Sequence, residues 1–278
     1  MNDIVLLTDF GTEDTYVGIM KGVISGIAPS ARTIDLTHAI APQDIRGGAF
    51  ALLTSYTYFP AGTVFVVVVD PGVGSTRRPV VATAGEYTFI APDNGVLSYV
   101  LQRDPKAQVY ELISRQHRLS RVSNTFHGRD VFAPAAAYLC SGTSVEVLGQ
   151  PLDDYVRMPL PRLEVSDGRI RGEVLSIDHF GNIITSIGRL EWAHEGELLL
   201  HHAFDRSQPI ARLNVDKCEV RYEDWRIDSL AVTYADVARG SLLALVGSSG
   251  FLEIAINQGN ACAQLGADVG FEFDLIIG

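Results

Sequence analysis

Hydrophobic positions along the first 150 residues follow two rhythms that alternate. Short, mostly apolar runs at Ile4 to Leu7, Thr33 to Leu36, Thr63 to Val69 and Tyr87 to Ala91 have the length of buried strands. Between them, amphipathic stretches from about Tyr16 to Ala28, Asp44 to Tyr58 and Asn94 to Gln102 predict helices. Strand and helix in alternation predict a parallel sheet covered on both faces. Beyond Gln150 the texture changes. Pro151, Pro159 and Pro161 suit a linker, because proline removes ladder donors and favours extended chain. The remainder shows short alternating segments, among them Arg169 to Ile177, Asn182 to Ile187, Ser241 to Val246 and Phe251 to Ile256, separated by Gly, Asn and Asp turns. That pattern predicts a small antiparallel barrel or sandwich.

Length supports the division, since 278 residues exceed what one hydrophobic core usually organises, and 47% apolar content is enough for two. The longest strongly apolar stretch, Val64 to Val69, is far too short to span a bilayer, and no basic segment precedes a hydrophobic one at the N-terminus, so the chain is read as cytoplasmic. A net charge of −11 opposes binding to nucleic acid or anionic membranes and favours a small or cationic ligand. Cys140, Cys218 and Cys262 are widely spaced and form no C-x-x-C pair, which points to idle thiols. The histidines show no H-x-x-x-H or H-E-x-x-H spacing, so no metal site is expected.

In open parallel sheets ligands bind beyond the carboxyl ends of the strands. Three predicted strands end in polar groups: Thr8-Asp9 after the first, Asp70 after the run 63–69, and Pro92-Asp93-Asn94-Gly95 after Tyr87 to Ala91. Singly, each reads as a cap or turn former; together they indicate a binding rim. Asp70-Pro71-Gly72-Val73-Gly74-Ser75-Thr76-Arg77-Arg78 places a carboxylate, a glycine-rich turn and two guanidinium groups within nine residues. It lacks the lysine of a P-loop, and its arginines could equally be solvated surface charges. In Phe126-His127-Gly128-Arg129-Asp130, His127 precedes an alanine-rich helix, where an imidazole serves structure or catalysis.

These segments resemble the SAM (S-adenosylmethionine) hydroxide adenosyltransferases, hydrolases related to the fluorinating and chlorinating SAM enzymes. The markers are T-D-F-G-T at 8–12, V-V-D-P-G-V-G-S at 68–75 with Arg77, A-P-D-N-G at 91–95, T-F-H-G-R-D at 125–130, I-D-H-F-G-N at 177–182 and G-S-S-G-F-L-E-I-A-I-N at 247–257. The resemblance implies a catalytic set of Asp70, Arg77 and His127, with Asp9 holding the ribose hydroxyls. It places Asp178, Asn182 and Ser248 in the part of the pocket that receives methionine, and it extends to Asn94 and Glu253 as substrate-binding residues. It further implies a homotrimer with active sites at subunit interfaces. Halogenating relatives carry an aromatic residue where this chain has Asp70, and a carboxylate there would repel a halide, which favours water as nucleophile.

The resulting expectation is an α/β protein, with a Rossmann-like parallel-sheet domain over 1–155 bearing the catalytic residues and an antiparallel β-barrel domain over 165–278 completing the pocket. The expected reaction is hydrolysis of SAM to adenosine and methionine by attack of activated water on the ribose C5′. SAM is the substrate; the neutral leaving thioether needs no general acid, and the scheme requires no cofactor. The alternatives are a halogenase acting on the same carbon and a non-catalytic SAM or adenosine binder. A generic serine hydrolase lacks its G-x-S-x-G elbow.

Overall fold

The computed structural model describes residues 3–204 and 208–278, and the chain divides into two units, Met1–Met158 and Pro159–Gly278. In the first unit strand β1 (Asp3–Thr8) pairs in parallel with β2 (Arg32–Thr37) on one side and β3 (Val64–Val68) on the other. Next come β4 (Pro79–Ala84), β5 (Tyr87–Pro92), β6 (Gln108–Leu112) and β7 (Gly149–Pro151), giving the order β2-β1-β3-β5-β4-β6-β7. The expected parallel sheet holds for β2, β1, β3 and β5 only. β4 runs antiparallel to both β5 and β6, and β7 antiparallel to β6. The cause is local: a two-residue turn, Gly85-Glu86, with Gly85 at φ +57°, joins β4 to β5, and so short a link permits only an antiparallel pair.

β1 and β3 are buried on both faces, which explains their continuous apolar runs, whereas β2 at the sheet edge is only partly covered. Helix α1 (Tyr16–Ile27) buries Val17, Met20 and Ile24 at helical spacing. α2 (Ile45–Ser55) starts at Asp44, whose side chain accepts from Gly47 N, and α3 (Ser98–Gln102) is a single short segment. α4 (Ala133–Cys140) joins α1 over the face made by Ile4, Leu6, Val64, Val66 and Val68. α2 covers the other face, where Gly48 lies so near Val69 that a Cβ would stand 3.0 Å from its methyl. The helix expected from Asn94 begins only at Ser98, because the Asn94 side chain accepts from Val96 N and closes a turn in which Gly95 has φ +97°.

The second unit contains β8 (Leu163–Ser166), β9 (Arg169–Ile177), β10 (Ile183–Gly188), β11 (Leu190–His194), β12 (Glu197–Leu200), β13 (Ala211–Asn214), β14 (Cys218–Tyr222), β15 (Trp225–Asp228), β16 (Leu242–Val246), β17 (Phe251–Ile256) and β18 (Glu272–Ile277). Its larger sheet is antiparallel in the order β15-β14-β18-β9-β10-β17-β16, with β8 also on β9. A bridge between Ala231, just past β15, and Leu245 on β16 brings the two ends together, so the sheet is nearly a barrel. Ile170, Val174, Ile183, Leu252, Ile254, Phe273 and Leu275 fill it. β11, β12 and β13 form a separate three-stranded sheet.

All three cysteines are free, and burial pushes the Cys140 and Cys218 thiols up to about 11, leaving both protonated and unreactive near neutrality. No helix among the described residues is long and apolar enough to cross a membrane.

Leu6 is wholly buried on β1, so Leu6→Ala should lower unfolding free energy by about 2–5 kcal/mol with an unchanged denaturant slope, as read by urea unfolding.

Candidate active site

Because β1 and β3 are parallel with Thr8 opposite Val68, Asp9 and Asp70 emerge side by side at one rim. The chain then turns back on itself: Val73 N donates to Asp70 O at 3.2 Å and Ser75 N to Gly72 O at 3.1 Å. Gly74, at φ +78°, passes so close to the next loop that a Cβ would lie 2.2 Å from Asn124 O. These turns return Arg77 to the carboxylate at which the loop began. Arg77 Nε donates to Asp70 Oδ1 at 3.0 Å, and Nη2 donates to Asp70 Oδ2. The same Nη2 lies 2.8 Å from His127 Nδ1, and the guanidinium rests 5.3 Å from the Phe132 ring centre. Side-chain exposure is 8% for Arg77 and 5% for Asp70, which rules out the solvated-arginine reading.

Charge and donor count set the protonation state of this cluster. Guanidinium has no acceptor, so His127 Nδ1 must accept, and the neutral ring carries its proton on Nε2. Burial, and then the positive charge of Arg77, hold the His127 pKa below its ordinary value. Arg77 Nη1 is buried and makes no hydrogen bond among the described residues. His127 leads into a π-helical turn, Gly128–Phe132, whose fully buried Asp130 accepts from Arg129 Nε at 2.5 Å and from Ser123 N at 2.7 Å.

The other rim residues make contacts that tie neighbouring segments together. Asp9 Oδ2 accepts from Gln43 N at 2.8 Å. Asn94 Nδ2 donates to Val69 O at 2.8 Å, tying the end of β5 to the end of β3 beside Asp70. Arg78 takes no part in the cluster; it pairs with buried Asp93 at 2.7 Å and with Asp154 at 2.7 Å, while Asp93 Oδ1 accepts from Val156 N.

In the second unit, Asp178, Asn182, Ser248 and Glu253 line one concave pocket of about 710 Å³, together with Phe180, Tyr234 and Asn257. Asp178 Oδ1 accepts from Phe180 N and Asn182 N, and Oδ2 accepts from Asn182 Nδ2 at 2.9 Å, so the β9–β10 connection is folded around this carboxylate. Glu253, 7% exposed on β17, accepts from Tyr234 Oη at 2.5 Å. Burial, with the Asp178 charge adding to it, raises the Glu253 pKa, and burial beside Glu253 raises that of Tyr234. Sequence reasoning missed Tyr234, which belongs to no polar cluster along the chain. It also passed over Phe180, 72% exposed, although the I-D-H-F-G-N segment that contains it was noted. Among the described residues no group of three or more His, Cys, Asp or Glu side chains gathers as a metal site.

Residues 4–149 match the SAM hydroxide adenosyltransferase N-terminal domain and residues 172–273 its C-terminal domain. The chain is 37% identical over 285 residues to an (R)-S-adenosyl-L-methionine hydrolase of Thermus thermophilus, covering 99% of this chain and 100% of that protein. It is 30% identical over 288 residues to a fluorinase of Actinopolyspora mzabensis, covering 91% and 90%. A crystal structure of a conserved protein from Thermotoga maritima superposes with a TM-score of 0.85 at 35% identity, over 98% of this chain and 99% of that one.

His127 should titrate below the ordinary imidazole value of about 6.5 in an NMR pH series, and Arg77→Met should move its midpoint upward. The unfolded chain protonates this ring first as pH falls. Its contribution to stability is therefore full above about pH 6.5 and is lost progressively as pH falls through the folded-state value.

Proposed function

The chain belongs to the SAM hydroxide adenosyltransferase family, and from that membership we propose how its residues act as an S-adenosyl-L-methionine hydrolase, releasing adenosine and L-methionine. The observation that carries the reading is the buried Asp70-Arg77-His127 cluster at the same rim as Asp9.

Displacement at C5′ expels a neutral thioether from a sulfonium, so no general acid is required and the nucleophile is the difficulty. Asp70 accepts the proton of the attacking water. Arg77 occupies one lone-pair direction on each carboxylate oxygen, which leaves the others to meet the water and fixes the plane of the group. With Nδ1 already engaged by Arg77, His127 is not the proton acceptor. It holds the guanidinium in place and offers Nε2–H to the oxygen. Arg77 Nη1, otherwise unused, donates to the developing hydroxide. Asp9 holds the ribose so that oxygen, carbon and sulfur approach a line.

In the second unit Asp178, Asn182 and Ser248 receive the methionine portion, with Glu253 beside them, and Asn94 supports the rim from the first unit. The family resemblance supports a homotrimer in which the amino-terminal domain of one subunit and the carboxy-terminal domain of its neighbour share each site. The division into 1–155 and 165–278 follows the same assignment. The reaction as written needs no cofactor, and the charge of −11 disfavours nucleic acid and membranes as partners. A cytoplasmic location fits a substrate made inside cells.

Turnover of SAM in ¹⁸O-water should place heavy oxygen on the adenosine 5′-hydroxyl, read by mass spectrometry; a 5′-chloro product in chloride buffer would mark a halogenase instead. Asp70→Ala should lower kcat by about 10²–10⁴-fold while adenosine still binds. Full activity in that variant would remove Asp70 as the base. Asp9→Ala should chiefly weaken nucleoside binding, measured by calorimetry.

A further inference from the structure

Thr8, Asp35 and His38 take no part in the Asp70-Arg77-His127 cluster, yet they form a continuous chain of polar contacts beside Asp9. Thr8 is fully buried and His38 is 6% exposed. His38 Nδ1 lies 2.9 Å from Thr8 Oγ1, and Nε2 lies 3.0 Å from Asp35 Oδ1, a bent contact. Lys21 Nζ donates to Asp35 Oδ2 at 2.6 Å. Thr8 Oγ1 accepts from Phe10 N at 3.2 Å, and His38 O accepts from Gly11 N at 2.8 Å.

The chemistry of the partners assigns each proton. A carboxylate only accepts, so Asp35 selects the ring form with its proton on Nε2. Nδ1 then accepts, the Thr8 hydroxyl donates to it, and the remaining lone pairs of that hydroxyl face Phe10 N. One histidine thus grips the chain on both sides of Asp9, through a side chain at position 8 and a backbone bond at position 11. The segment that leaves His38 also supplies Gln43 N to Asp9 Oδ2.

We infer that His38 is a positioning residue for Asp9, acting through Thr8 and the Phe10–Gly11 backbone to fix where the ribose-binding carboxylate stands. The inference rests on the proposed role of Asp9. A histidine that only filled the core would affect folding but would leave nucleoside affinity in the folded enzyme unchanged.

The test compares adenosine dissociation constants and steady-state constants for SAM across variants whose melting shows them folded. His38→Leu should raise the adenosine Kd and the KM for SAM about tenfold, with kcat within about threefold. His38→Asn, whose amide oxygen can stand near the position of Nδ1, should recover most of the loss, whereas His38→Gln, which reaches toward the Nε2 position, should not. Thr8→Val removes the hydroxyl at nearly constant volume; it should reproduce the His38→Leu effect, and the double variant should be no worse than the weaker single one. Thr8→Val carries the test if His38→Leu does not fold. Wild-type adenosine affinity in both His38→Leu and Thr8→Val, or no recovery in His38→Asn, overturns the inference. Asp9→Ala separates the two failures: if it weakens adenosine binding and the His38 and Thr8 variants do not, the inference alone falls, and if it has no effect the ribose assignment falls with it.

Discussion

The active rim depends on one buried guanidinium. Arg77 cannot shed its charge and cannot accept a hydrogen bond, so its burial requires an anion and a free lone pair close by. Asp70 supplies the first and His127 Nδ1 the second. Removing one partner from such a pair typically costs about 3–5 kcal/mol, because the other charge is left buried and uncompensated. The requirement draws together the exit of β3, the glycine turn and the 123–127 loop. It also sets the state of each member before substrate arrives: the carboxylate is oriented, the imidazole is neutral, and Nη1 makes no hydrogen bond among the described residues.

Around this pair the polar residues of the rim have divided labour. Arg78, adjacent to Arg77 in sequence, fastens Asp93 and Asp154, and Asn94 ties two strand ends. Such contacts hold the rim rigid, which matters because in-line displacement tolerates little error in position. The second unit follows the same logic. Three N–H groups from its β9–β10 connection converge on Asp178, while Glu253 faces Tyr234 across the pocket wall.

Much of the first unit was legible because β1 and β3 are short runs buried on both faces and its main helices are amphipathic. β4 and β6 escaped notice. Pro79 to Ala84 begins with proline and is only partly buried at its start, so it lacks the uniform apolar signature of β3. The antiparallel half of the sheet followed from Gly85-Glu86, a turn too small to stand out in the pattern. Tyr234 and His38 were silent for another reason: each becomes informative only beside a partner brought from elsewhere in the chain, Glu253 at 19 residues and Thr8 at 30.

The sequence by itself determined where strands end in carboxylates, that the chain is α/β, and through its short motifs which family it resembles. Those properties are local, since burial and turn formation are written in neighbouring residues. Only the tertiary structure decided that Arg77 rather than Arg78 reaches Asp70, that His127, 50 residues away, takes the same nitrogen, and that its ring is neutral with the proton on Nε2. Partner choice between charged side chains depends on their direction in space after the chain has turned, and a hydrogen-bond tautomer depends on what stands opposite. Neither is encoded in the order of residues along the chain.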